Sequence, residues 1–112
     1  MENKLYEFTV RVLRGGNNCD LPSGMLGAYV PCYVSATDHE SALKKGVVAV
    51  KSMDFIFDDI RGDVREIPLA SWADYIHGVW PDFSEHFPAQ DELPELVGKG
   101  VVFFGPFATF QK

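Results

Sequence analysis

From Tyr6 to Val12 the chain alternates: Tyr6, Phe8, Val10 and Val12 are apolar, and Glu7, Thr9 and Arg11 between them are polar. Side chains on a strand point to opposite faces in turn, so the pattern predicts a half-buried β-strand. Ala28, Val30, Cys32, Val34 and Ala36 repeat it and supply the inner face of a second strand. Strands with an apolar face must bury it, which requires a second layer of helix or sheet. Pro31 has no N–H for a ladder, so the second strand is expected at an edge or carrying a bulge. Gly15, Gly16, Asn17, Asn18, Asp20, Pro22 and Ser23 mark a long loop between the two.

Thr37-Asp38-His39-Glu40 reads as a capping box, with Thr37 as the N-cap. Leu43, Gly46, Val47, Val50 and Met53 follow at helical spacing, which predicts a helix from Asp38 to about Ser52. Phe55, Phe57 and Ile60 open a third strand. Arg61-Gly62-Asp63 then either turns it into a hairpin with Val64 to Ile67 or sits as a bulge in one long strand. Ser71 and Asp74 form another capping pattern, before Trp72, Tyr75, Ile76 and Val79 on a short helix that Pro81 stops. Residues 82–98 read as a loop or extended arm holding one helical turn. Val101 to Phe110 is a last strand, apolar on both faces and therefore central, with a bulge at Gly105-Pro106. The result is an α+β fold: one domain over residues 1–112, a mostly antiparallel sheet of four to five strands, and two helices packed on it. With 46% hydrophobic residues and nine Phe, a chain of 112 residues can build a core without disulfides or metal.

The search for reactive groups gives little. His39, His77 and His86 form no close-set ligand pair. Cys32 falls on the apolar face of its strand, and Cys19 has Asp20 beside it, which works against a thiolate. Ser23 and Ser84 lack the context of an activated serine, and Gly15-Gly16 lacks the Lys of a phosphate loop. Asp54, Asp58, Asp59 and Asp63 do not match a calcium loop and read as a solvated or edge-protecting acidic face. No catalytic residue, cofactor or metal is expected. No leader or membrane-spanning run is visible either.

What stands out is charge layout. Residues 54–95 carry eleven Asp and Glu against only Arg61 and Arg65, a net −9 in a chain whose total is −6. A field of one sign attracts a partner of the other, so a basic protein is favoured and nucleic acid or an anionic membrane is not. Aromatic residues lie among these acids, and steering charges with aromatic anchors make an interface. Asp58, Asp59, Asp63, Glu66, Trp80, Asp82, Phe83, Glu85, Asp91 and Glu92 are the expected partner-binding residues.

The string FDDIRGDVREIPLASWADYIHGVWPDF, followed by GVVFFGPFATF, resembles small bacterial immunity proteins of contact-dependent growth inhibition and other polymorphic toxin systems. LYEFTVRVLR and YVSATDHESALKK fit the same picture, so the resemblance spans nearly the whole chain. It implies a cytoplasmic protein that binds and neutralises the toxic domain of its cognate effector, in many such systems a basic nuclease. It carries over no residue-level binding map. Two other readings stand beside it. One is a small enzyme or ligand-binding domain in which Asp58 and Asp59 converge with His77 or His86. The other is a single-stranded nucleic-acid module in which Tyr29 and Tyr33 stack bases on a shared strand face.

Overall fold

The computed structural model describes residues 2–15 and 24–110. Most of the expected loop, with Cys19 and its Asp20 neighbour, lies outside the described residues. The elements are β1 (Lys4–Arg14), β2 (Gly27–Ala36), α1 (His39–Lys51), β3 (Phe55–Ile67), α2 (Trp72–Val79), α3 (Leu93–Gly98), β4 (Val102–Phe104) and β5 (Ala108–Phe110). Short 3-10 segments cover Leu69–Ser71 and Pro81–His86. The strands form one antiparallel sheet in the order β3-β1-β2-β4, with β5 also paired to β2. The fold is α+β, as the residue patterns predict.

The alternation of β1 and β2 sorts the sheet into two buried faces. Tyr6, Phe8, Val10 and Val12 meet Val34, Cys32, Val30 and Ala28 across the ladder and form the core under α1, with Ala42 and Val50. The opposite face carries Leu5 and Tyr33, packed beneath Trp72, Ile76, Phe87, Leu93 and Val97. The molecule therefore has three layers: α1, the sheet, and a layer built from residues 68–100.

Two expectations about strand position are overturned, and they exchange places. β2 lies in the interior of the sheet, between β1 and the β4/β5 pair, rather than at an edge. The last strand is not central: it breaks into β4 and β5 along the margin of β2, and Ala108 and Thr109 are exposed. Pro31 explains both. Its carbonyl accepts the Gly105 amide at 2.9 Å, and the nitrogen and carbonyl of a strand residue point to the same side. The missing N–H therefore faces Gly105–Phe107, where the last strand is interrupted, and no ladder bond is lost.

β3 is one strand, not a hairpin. Its register against β1 slips between Glu7 and Thr9, opposite Arg65 and Arg61, and Gly62 there takes φ 74°. A side chain at that backbone geometry would be strained, so glycine accommodates the bulge.

The helix caps differ from the expected ones. The N-cap of α1 is Asp38, whose carboxylate accepts the Ser41 amide at 2.7 Å. This bond holds the Asp38 carboxyl below its ordinary range. Ser71 makes no side-chain cap on α2. Gln90 takes that role from the far end of the layer: its Oε1 accepts the Ala73 amide at 2.7 Å. No helix is long and apolar enough to cross a membrane among the described residues.

Candidate functional site

The structure distributes the ten expected partner-binding residues over two places. Asp58, Asp59, Asp63 and Glu66 are exposed on β3, the marginal strand. Trp80, Asp82, Phe83 and Glu85 lie at the end of α2 and on the 3-10 segment after it, and Asp91 and Glu92 precede α3. The β3 group is not a uniform anionic surface. Asp58 is ion-paired with Arg11, Glu66 lies 3.7 Å from Lys4, and Arg61 and Arg65 alternate with the acids.

The helical layer is different. From residue 68 to residue 98 there is no Lys or Arg, while Asp74, Asp82, Glu85, Asp91, Glu92 and Glu95 all lie there. Glu95 is paired with Lys99 at 3.1 Å. A cleft of about 450 Å³ opens in this layer. Trp72, Ile76 and Phe87 form its apolar floor, and His77, Glu85 and Glu92 stand among its lining. Side-chain bonds fix its walls. The Trp72 indole N–H donates to the Pro88 carbonyl at 2.8 Å, and Gln90 Nε2 donates to the Leu69 carbonyl at 2.6 Å while its Oε1 holds Ala73. Residues 88–90 are thus clipped to the start of α2. Phe83 is 41% exposed, with its ring 6.3 Å from that of Trp80. Trp80 itself is half-buried and donates its indole N–H to the Tyr33 hydroxyl at 2.7 Å.

The residues named for a catalytic reading do not converge. Asp58 and Asp59 stand on β3, whereas His77 is exposed on α2 and His86 at the end of the following 3-10 segment. His77 lines the acidic cleft without either aspartate. Cys32 is fully buried, and burial pushes its thiol up to about 12, so it is a small apolar filler. Among the described residues no three His, Cys, Asp or Glu side chains are grouped to hold a metal ion. Tyr29 and Tyr33 do share one sheet face. Tyr33, however, is wholly buried and bonded to Trp80 and Tyr75, which leaves its ring no free face for a base.

One feature escapes the charge count. On the second sheet face the strands align polar residues in rows: Arg65 beside Glu7 beside Tyr33 beside Phe103, and Asp59 beside Arg11 beside Tyr29 beside Ala108. Where the helical layer ends, a groove of about 390 Å³ opens over these rows. Glu7, Tyr29, Arg65, Tyr75 and Trp80 line it. The signal was present in the sequence as the polar half of the β1 alternation, but alternation alone marks that half as solvent-facing.

Compared with protein-family models, with curated proteins and with solved structures, the chain finds no match in any of the three.

Proposed function

We propose that this chain is a binding protein without catalytic activity, and that its acidic helical layer covers a basic surface on a protein partner. The resemblance to immunity proteins names that partner as the toxic domain of a cognate effector, neutralised in the cytoplasm. The observation that carries the reading is the cleft over Trp72, Ile76 and Phe87, rimmed by Glu85 and Glu92 in a stretch of thirty-one residues without a Lys or Arg. A Lys or Arg side chain can lay its methylene stem on such a floor and present its charge to the rim carboxylates. Phe83 beside the cleft supplies an exposed aromatic anchor. The surface has little to offer a nucleic acid or an anionic membrane, since phosphate contacts need cations.

The reading expects a toxin domain encoded beside this chain, and the test is binding to that domain, measured by surface plasmon resonance over a salt series. The expected result is a one-to-one complex whose association rate falls with ionic strength. The paired substitution Glu85→Lys and Glu92→Lys should slow association at least about tenfold at low salt. Absence of any complex with the neighbouring toxin domain overturns the partner. A complex that forms equally fast with the double variant overturns the site.

A further inference from the structure

The groove on the second sheet face has a ligand chemistry of its own. Glu7 sits half-buried in it, in the row between Arg65 and Tyr33. Burial pushes the Glu7 carboxyl up, and Arg65 opposes this through its charge. No hydrogen bond or ion pair from another described side chain holds the carboxylate. A partly desolvated carboxylate without a donor is costly unless something supplies one.

The surrounding groups define the rest. Arg65 is exposed on the same row and presents a guanidinium fork at the groove's rim. Tyr29, Tyr75 and Trp80 give ring surfaces, with Pro31 and Pro106 between them. The Tyr33 hydroxyl accepts the Trp80 N–H at 2.7 Å and lies 3.0 Å from the Tyr75 hydroxyl. These two bonds fix the rings of Tyr75 and Trp80 against the buried Tyr33 at the groove's wall.

Net charge narrows the ligand. The charged residues that line the groove are one acid, Glu7, and one arginine, Arg65. A polyanion meets the acid and a simple cation meets the arginine. A molecule carrying both charges on neighbouring atoms meets neither penalty. We propose that the groove binds a small zwitterion with a flat ring, of the aromatic α-amino-acid class: the ammonium on Glu7, the carboxylate on Arg65, the ring among Tyr29, Tyr75 and Trp80. The volume suits one such molecule and no polymer.

An amide-resolved NMR titration with L-tryptophan, tryptamine, indole-3-propionate and a nucleoside monophosphate tests this. L-Tryptophan should bind with a Kd on the order of 0.1–1 mM, as its size allows, and shift the amides of Glu7, Thr9, Tyr29, Tyr75 and Trp80. Tryptamine and indole-3-propionate, each lacking one charge, should bind at least about tenfold more weakly. Arg65→Gln should weaken L-tryptophan and leave tryptamine unchanged, and Glu7→Gln should weaken L-tryptophan and leave indole-3-propionate unchanged. Arg65 is exposed, so its variant folds whatever Glu7 does for the sheet. No saturable shift below about 10 mM, tighter binding of the nucleotide, or equal binding by either variant overturns the proposal. The cleft variants Glu85→Lys and Glu92→Lys should leave this titration unchanged, so the two readings fail separately.

Discussion

Gly46 of α1 lies so close to Phe8 of β1 that a Cβ built on it would stand 2.3 Å from Phe8 Cζ. The ring belongs to the buried core of the central strand and cannot move aside cheaply. Gly46 thus sets the distance at which α1 rests on the sheet. Two effects compete in Gly46→Ala. The helix gains about 1 kcal/mol from propensity, and overpacking costs about 1–3 kcal/mol. The clash should win, since the ring is buried in the packed core. Urea unfolding should show a lower midpoint at unchanged slope for Gly46→Ala.

Gln90 ties two parts of the acidic layer together, accepting from Ala73 and donating to Leu69. Gln90→Ala removes both bonds and leaves the first turn of α2 uncapped, at a cost of about 1–2 kcal/mol. Hydrogen exchange is the sharper readout. Amides 72–76 should lose protection while those of β1 and β2 keep theirs, because the sheet does not depend on this clip. If the acidic cleft is the partner site, this variant should also bind more weakly.

How legible this molecule was depended on how local each determinant is. The β1 alternation and the α1 spacing are set by neighbours within a few residues, and both elements lie where those patterns place them. Caps depart from their local patterns where a competing acceptor decides them. Asp38 displaced Thr37 by one position, and Gln90 displaced Ser71 from nineteen residues away. Strand order does not follow from Pro31, because proline forbids only a ladder bond, and the chain provides a break in its partner at that point. The acidic bias of residues 54–95 was visible as a count, but the pairs Asp58–Arg11 and Glu66–Lys4 depend on strand register. They turn half of that count into a mixed surface. The Glu7 groove needed a sheet face and a helix end from distant segments, so no window along the chain displayed it.

Glu7 also carries a pH signature. Burial raises its carboxyl above the ordinary glutamate value. A folded-state value above the unfolded one means that the folded state binds the proton more tightly. The contribution is full below the ordinary value, and it is lost as pH rises through the raised one. At neutral pH the buried charge therefore works against folding. Glu7→Gln, which keeps shape and removes charge, should raise the melting temperature at pH 7, and the gain should vanish near pH 4. A variant that is less stable at pH 7 would mean that Arg65 outweighs burial there.

The two acidic groups separate by charge reversal. Asp58→Lys sets a cation against Arg11, whose guanidinium is held protonated by its bond to Asp58. Exposed pairs of this kind contribute little, so a small loss of stability is expected, and it should shrink in high salt. Among the described residues neither Glu85 nor Glu92 has an ion pair to break. Glu85→Lys relieves repulsion among carboxylates, and stability should hold or rise slightly, whereas Glu92→Lys also gives up the Ala89 amide that its carboxylate accepts at 3.4 Å at the start of α3, so a small loss is expected there. Partner association should respond in the opposite order: strongly to the cleft pair and weakly to Asp58, which stands on β3 outside the cleft lining. Measuring unfolding and association on the same three proteins decides it. If Asp58→Lys slows association as much as the cleft variants do, the partner covers the β3 margin, and the acidic layer is a solvated surface.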